Sequence, residues 1–252
     1  MKSRIHLVLW GLIIFSGRSW GQERILIAAA SDMKYAMDSL AQSFRSKSPG
    51  VVEIAYGSSG KLTEQILNGA PFDLFFSADI SYAELLQSRQ QLSSEIYPYA
   101  KGHLVLWSRR VNPKIRKMET LADPSIGRIA IANPQHAPYG KRAMECLGYF
   151  GLIERVKPKL VYGQNVAQAA QFVLSGAADA AIVALSVVQS PAFLKNDGVY
   201  YLIPEESHAP LVQGAVITRH GSGKKLAAAF FEFVKSPAGI AILSYYGFSK
   251  PD

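Results

Sequence analysis

The sequence predicts an α/β protein of two similar lobes, each a mostly parallel sheet flanked by helices, facing each other across a cleft. Three observations carry that reading. Apolar strand-like runs alternate with amphipathic helix-like stretches, the pattern of a parallel sheet covered on both faces. Two serine-bearing turns, Ala30-Ser31-Asp32-Met33 and Tyr56-Gly57-Ser58-Ser59-Gly60-Lys61, each follow such a run and open a helix. The second half offers further strand-loop-helix units with polar or glycine-bearing junctions, and α/β sheets bind ligands at the carboxyl ends of their strands.

The first strand is 25–30, an unbroken apolar run suited to burial on both faces. Met33, Ala36, Met37, Leu40, Ala41 and Phe44 then recur at helical spacing until Pro49-Gly50 stops the pattern. A strand at 51–55 leads through the glycine-bounded turn to a helix at 62–68. A Gly69-Ala70-Pro71 turn, a strand at 72–76 and a helix at 82–88 follow. A strand at 104–107 runs into basic, proline-containing loop sequence at 109–117. Beyond it lie strands at 128–132, 159–162 and 180–184, with helices at 140–150 and 166–174 between them. A strand at 215–218 precedes two helices, marked by Leu226, Phe230, Phe233 and Val234 and by Ala238, Ile240, Ala241 and Leu243, that end at Gly247 and can cap either lobe.

Residues 1–21 stand apart. Lys2 and Arg4, an apolar core at 5–15, and small residues Ser19 and Gly21 before Gln22 describe a cleaved secretory signal. No later window is long and apolar enough to span a membrane, so a soluble exported chain is expected. The segment holds three basic residues and no acidic one, so its removal lowers the formal charge from +8 to +5. The remaining positive residues are scattered in pairs such as Arg109-Arg110 and Lys224-Lys225, without the interleaved aromatics of a nucleic-acid surface. Cys146 is the only cysteine, so no intramolecular disulfide forms; within a helical pattern it reads as a small buried hydrophobe.

A serine at a helix start can present its hydroxyl and the free N–H groups of the first turn to one anion, where the helix dipole favours negative charge. Taken alone, Ser31 reads as an ordinary N-cap serving its own helix, and the second serine turn is what changes that reading. Gly57-Ser58-Ser59-Gly60 sets two hydroxyls between glycines that let backbone approach a ligand. A phosphate-binding P-loop is excluded, because Ala55 and Leu62 stand where its glycine and magnesium-binding hydroxyl belong, and the Gly-x-Ser-x-Gly nucleophile turn is absent here. In the second half, 133–140 joins a strand end to a helix start, and Tyr139 can offer a hydroxyl or only an amide. Asn165 reads as an N-cap, leaving Val166 a backbone N–H. His103, His136, His208 and His220 lack partners at zinc-site spacing, so no cation site is expected. Asp32, Asp73, Asp79 and Asp179 fit helix-start, turn or lobe-bridging roles better than catalysis, and Lys61 fits a solvent-facing one.

Together, Ala29-Ala30-Ser31-Asp32-Met33, Gly57-Ser58-Ser59-Gly60-Lys61-Leu62, the stretch 69–79, Ala137-Pro138-Tyr139-Gly140, Asn165-Val166, Ser175-Gly176-Ala177-Ala178-Asp179, Ala184-Leu185-Ser186 and Tyr246-Gly247-Phe248 resemble the periplasmic molybdate-binding proteins of ABC importers. The resemblance implies the two-lobed type II periplasmic binding protein fold. Residues 22–103 and 214–252 would form one lobe and 104–213 the other, joined by crossing strands near 104–107 and 214–218. It implies a monomeric periplasmic carrier without enzymatic activity or cofactor, which delivers molybdate or tungstate to a membrane permease. Carried over by position, the oxyanion contacts are the hydroxyls and amides of Ser31 and Ser59 and the amides of Tyr139 and Val166. Some members place a tyrosine hydroxyl where this chain has Ala184; Tyr139 is expected to supply that donor instead.

Molybdate and tungstate are bare dianions that offer only acceptors, so a site made only of donors suits them, and Asp32 should face away. Hydrogen phosphate carries an O–H that needs an acceptor, and a buried polar group left unpaired costs about 1 to 3 kcal/mol. Sulfate has the same charge and shape but is smaller, so its rejection depends on pocket size. The alternatives are a carrier for another oxyanion such as sulfate or for a small carboxylate, an exported serine hydrolase using His136 as base, and a receptor module without an importer.

Overall fold

In the computed structural model, which describes residues 22–46 and 48–251, ten strands form two five-stranded sheets of the same plan. The expected signal segment lies outside the described residues. The first sheet has the order β2-β1-β3-β10-β4, from β1 (Arg24–Ala30), β2 (Val51–Gly57), β3 (Leu74–Ser77), β4 (Tyr97–Gly102) and β10 (Leu211–Ile217). The second has the order β7-β6-β8-β5-β9, from β5 (Leu104–Ser108), β6 (Ile129–Ala132), β7 (Leu160–Gly163), β8 (Ala180–Ala184) and β9 (Val199–Leu202).

In each sheet four strands run in one direction and one runs against them, β10 in the first and β5 in the second, so the sheets are mixed. The antiparallel strands come from the segments that carry the chain between the lobes. The chain leaves the first sheet at the end of β4 and enters the second one residue later, past His103. It returns through 203–210, between β9 and β10. The stretches expected as the hinge, 104–107 and 214–218, therefore lie almost wholly inside strands.

Both faces of the first sheet are covered. Ile25, Ile27 and Ala29 of β1 pack with Met33, Met37, Leu40 and Phe230, while Ala28 packs on the other face with Leu62, Phe75 and Val216. The helices Lys225–Lys235 and Pro237–Tyr245 lie on this lobe, where Phe230 meets Phe44 edge to face. The second lobe has its own core around Trp107, Ile131, Leu147 and Ile182, into which Cys146 is buried. Among the described residues no single helix is long and apolar enough to cross a membrane.

Parallel registry brings three strand ends level in each lobe. Ala30 lies opposite Gly57, and Ala132 opposite Gly163. The turns that follow those ends meet between the lobes.

Candidate functional site

A small cavity lies where these turns meet, and Ser31, Ser59, Tyr139 and Val166 all line it. Ala30, Asp32, Gly57, Ser58, Ala78, Ala137 and Pro138 complete its wall, which contains no Lys, Arg or His. Cross-lobe bonds close the space around it. Gly60 N–H donates to the His136 carbonyl at 2.9 Å, Ser186 Oγ to the Asp32 carbonyl at 2.8 Å, and Arg142 to Asp79 at 2.9 Å.

Neither serine caps its own helix. Ala30 is the cap residue of the 3-10 turn Ser31–Met33, and Ser31 Oγ accepts from the Ala167 N–H of the opposite lobe at 3.4 Å. Ser58 is the cap residue of Ser59–Leu67, and Ser59 Oγ accepts from the Ala78 N–H at 3.0 Å. Each hydroxyl thus uses its oxygen on a backbone amide and keeps its proton to donate.

Pro138 and Tyr139 open the helix Pro138–Tyr149, and because proline has no N–H the first amide available is that of Tyr139. Val166 opens Val166–Leu174, where Asn165 Oδ1 takes the Gln168 N–H at 3.0 Å and Ser31 takes that of Ala167. No hydrogen bond among the described residues uses the amides of Ser59, Tyr139 or Val166. First-turn amides are also where the helix dipole concentrates positive potential.

The extra donor expected of Tyr139 would be its hydroxyl, which meets the buried Gln213 side chain. This hydroxyl accepts from Gln213 Nε2 at 3.3 Å and crowds against Gly102, neither of which lines the cavity. Ala184 ends β8 and does not line the cavity either.

Two wall residues escaped the sequence reading of the contacts. Ser58 Oγ is buried with no partner among the described residues, a third hydroxyl beside the cavity that was visible in the glycine-bounded turn. Ala78 contributes an amide that no side-chain pattern could have marked.

Asp32 is 1% exposed. Its carboxylate turns toward a polar group behind the wall, with Oδ2 accepting from Gln213 Nε2 at 2.7 Å, while Oδ1 has no partner. Gln213 in turn accepts at Oε1 from the Tyr99 hydroxyl at 2.5 Å. Burial pushes the Asp32 carboxyl up to about 6, against the lowering effect of the Gln213 bond.

The other aspartates hold structure. Asp73 accepts from the Leu26 N–H at 2.8 Å and pairs with His220 and Lys224, and Asp179 accepts from the amides of Gly127 and Arg128. Asp79 caps its helix through the Ser81 N–H and pairs with Arg142. Lys61 is exposed. No cluster of potential metal ligands occurs among the described residues. The serine hydroxyls of the cavity have no histidine or carboxylate partner among the described residues, and His136 Nε2 is buried without a partner. The base-serine contact a hydrolase requires is therefore not built here.

Paired lobes with donor-rich helix starts facing one cavity define a binding protein for a small anionic solute. The chain belongs to the bacterial extracellular solute-binding proteins, whose family pattern it matches over residues 25–249. Within that class it groups with the molybdate-binding proteins. It is 32% identical to the molybdate-binding protein of Rhodobacter capsulatus over 228 residues, covering 89% of this chain and 87% of the relative. It is 33% identical to that of Azotobacter vinelandii over 225 residues, covering 89% of each. The solved structure of the Azotobacter vinelandii periplasmic molybdate-binding protein superposes with a TM-score of 0.83 at 34% identity, covering 90% of this chain and all of that one.

Proposed function

We propose that this protein captures molybdate between its lobes in the periplasm and presents it to the membrane permease of an ABC importer. The observation that carries the reading is the donor set. Ser31 and Ser59 keep hydroxyl protons to give, and the amides of Ser59, Tyr139 and Val166 are unspent, all around one cavity without a cationic side chain. Hydrogen bonds to a charged partner contribute roughly 1.5 to 3 kcal/mol each, so a few of them hold a dianion without an arginine. Contacts of this kind reach the oxygens of the anion, and none is assigned to the metal atom. Tungstate presents the same oxygens and is expected to bind as well.

The cross-lobe bonds at Gly60, Ser186 and Arg142 fit hinge closure over the ligand, which would give the permease a surface that differs between empty and loaded carrier. No step in this cycle makes or breaks a bond, and a monomer suffices for it. Competition calorimetry with molybdate, tungstate, sulfate and phosphate tests the proposal. Molybdate and tungstate should bind and displace each other. Binding of sulfate with no heat from molybdate or tungstate would overturn it.

A further inference from the structure

The wall of this anion cavity contains a carboxyl group, and nothing nearby neutralises it. Asp32 follows Ser31 directly, lines the cavity and is 1% exposed. One oxygen is held by Gln213 Nε2 and the other is unpartnered. The groups packed around it are neutral. Gln213 comes from β10, the Tyr99 phenol from β4, the Tyr139 phenol from the Pro138–Tyr149 helix, and the Ser186 hydroxyl meets only the Asp32 carbonyl. Burial holds both phenols protonated, well above their ordinary range. The nearest cross-lobe charges, Arg142 and Asp79, pair with each other.

Like charges in a buried, low-dielectric site repel strongly, and the incoming ion carries two. An ionised Asp32 would therefore oppose capture strongly, whereas a protonated one would not oppose it and has a donor to give. We propose that oxyanion capture is coupled to the uptake of one proton by Asp32, so that the loaded carrier holds this residue as a neutral carboxylic acid. Burial already brings the empty protein close to that state, since it lifts the carboxyl to about 6. The coupling has a fixed sign. Above that value the empty protein carries a charge which the loaded protein has lost, so affinity falls by up to about tenfold per pH unit as pH rises. Acidification of the periplasm would favour loading. The inference rests on the anion-carrier reading above.

Calorimetry of molybdate binding in two buffers of different ionisation enthalpy, between about pH 5.5 and pH 8.5, counts the protons taken up; molybdate itself stays fully deprotonated across this range. Uptake should approach one proton per molybdate at the alkaline end and vanish at the acid end. D32N, which keeps the shape of the side chain and an acceptor for Gln213, should bind at about pH 8 at least as tightly as the unaltered protein, with no proton uptake. Absence of uptake by the unaltered protein at about pH 8 would overturn the proposal. So would uptake that persists in D32N. Hydrogen phosphate gaining affinity as Asp32 ionises would also overturn it, by making the carboxylate an acceptor for a ligand O–H. Failure to bind molybdate at any pH is a different result, and refutes the carrier assignment itself.

Discussion

Replacing Ser59 with alanine tests the donor cradle most directly, because the structure separates two consequences of losing one hydroxyl. The oxygen accepts from the Ala78 N–H at 3.0 Å, and the proton is left for the anion. Removing a donor to a charged ligand costs about 1.5 to 3 kcal/mol, or roughly 10- to 150-fold in Kd. The Ala78 amide, freed from Ser59, can turn to an oxygen of the bound anion and offset part of that loss, so the lower end, about tenfold, is expected. The ligand-free variant has no such compensation. Its Ala78 amide is stranded in a buried position, at a cost of about 1 to 3 kcal/mol, which corresponds to roughly 2 to 12 °C in Tm for a chain of this size. Calorimetry with molybdate measures the first effect and thermal unfolding without ligand the second. A lowered Tm with unchanged affinity would reduce Ser59 to a tie between β3 and its own helix, and refute its place in the site.

The remaining predictions concern closure and pH. At Gly60 an added Cβ would lie 2.8 Å from the His136 carbonyl oxygen and 3.0 Å from its Cα, across the lobes. Gly60→Ala should therefore weaken binding by roughly 5- to 150-fold, the cost of about 1 to 3 kcal/mol of overpacking, without lowering Tm, because alanine is the better helix former. Unaltered affinity in that variant would mean that the cross-lobe contact is not part of the bound state. The raised Asp32 carboxyl makes the native ligand-free protein bind a proton more tightly than the unfolded chain. Its unfolding free energy should thus fall as pH rises from about 4 to about 6, by on the order of 3 kcal/mol in total, and then level off. Thermal melts of the ligand-free protein and of D32N across that range check this: the two should converge at the acid end, and D32N should be the more stable above about pH 6. A D32N protein less stable than its parent at neutral pH would show that the carboxylate is well accommodated.

Much of the architecture was legible because local patterns and burial agreed. The strand at 180–184 and the helix at 166–174 match β8 and Val166–Leu174, since an unbroken apolar run and an Asn165 cap leave little choice of boundary. The strands β4 and β9 were not legible. Tyr97–Gly102 contains Pro98 and Lys101, and Val199–Leu202 is half exposed; both are sheet edges, stabilised by pairing on one side rather than by an apolar pattern of their own. The C-terminal helices were legible as helices, but their apolar faces suit either lobe until the partner face is known.

What the chain determines by itself is the chemistry of each turn: serines, glycines, a proline that strips one amide and an asparagine cap, all at helix starts behind buried strands. That much follows from neighbours within a few residues. The tertiary structure alone decides which of those donors stay free. Ser31 spends its oxygen on an amide 136 residues away, and Tyr139 turns its hydroxyl to Gln213, 74 residues on. Asp32 meets Gln213 across 181 residues, and that distant contact together with complete burial sets its charge. Hydrogen-bond saturation and desolvation depend on everything within a few ångströms in space, and a one-dimensional pattern carries no record of that.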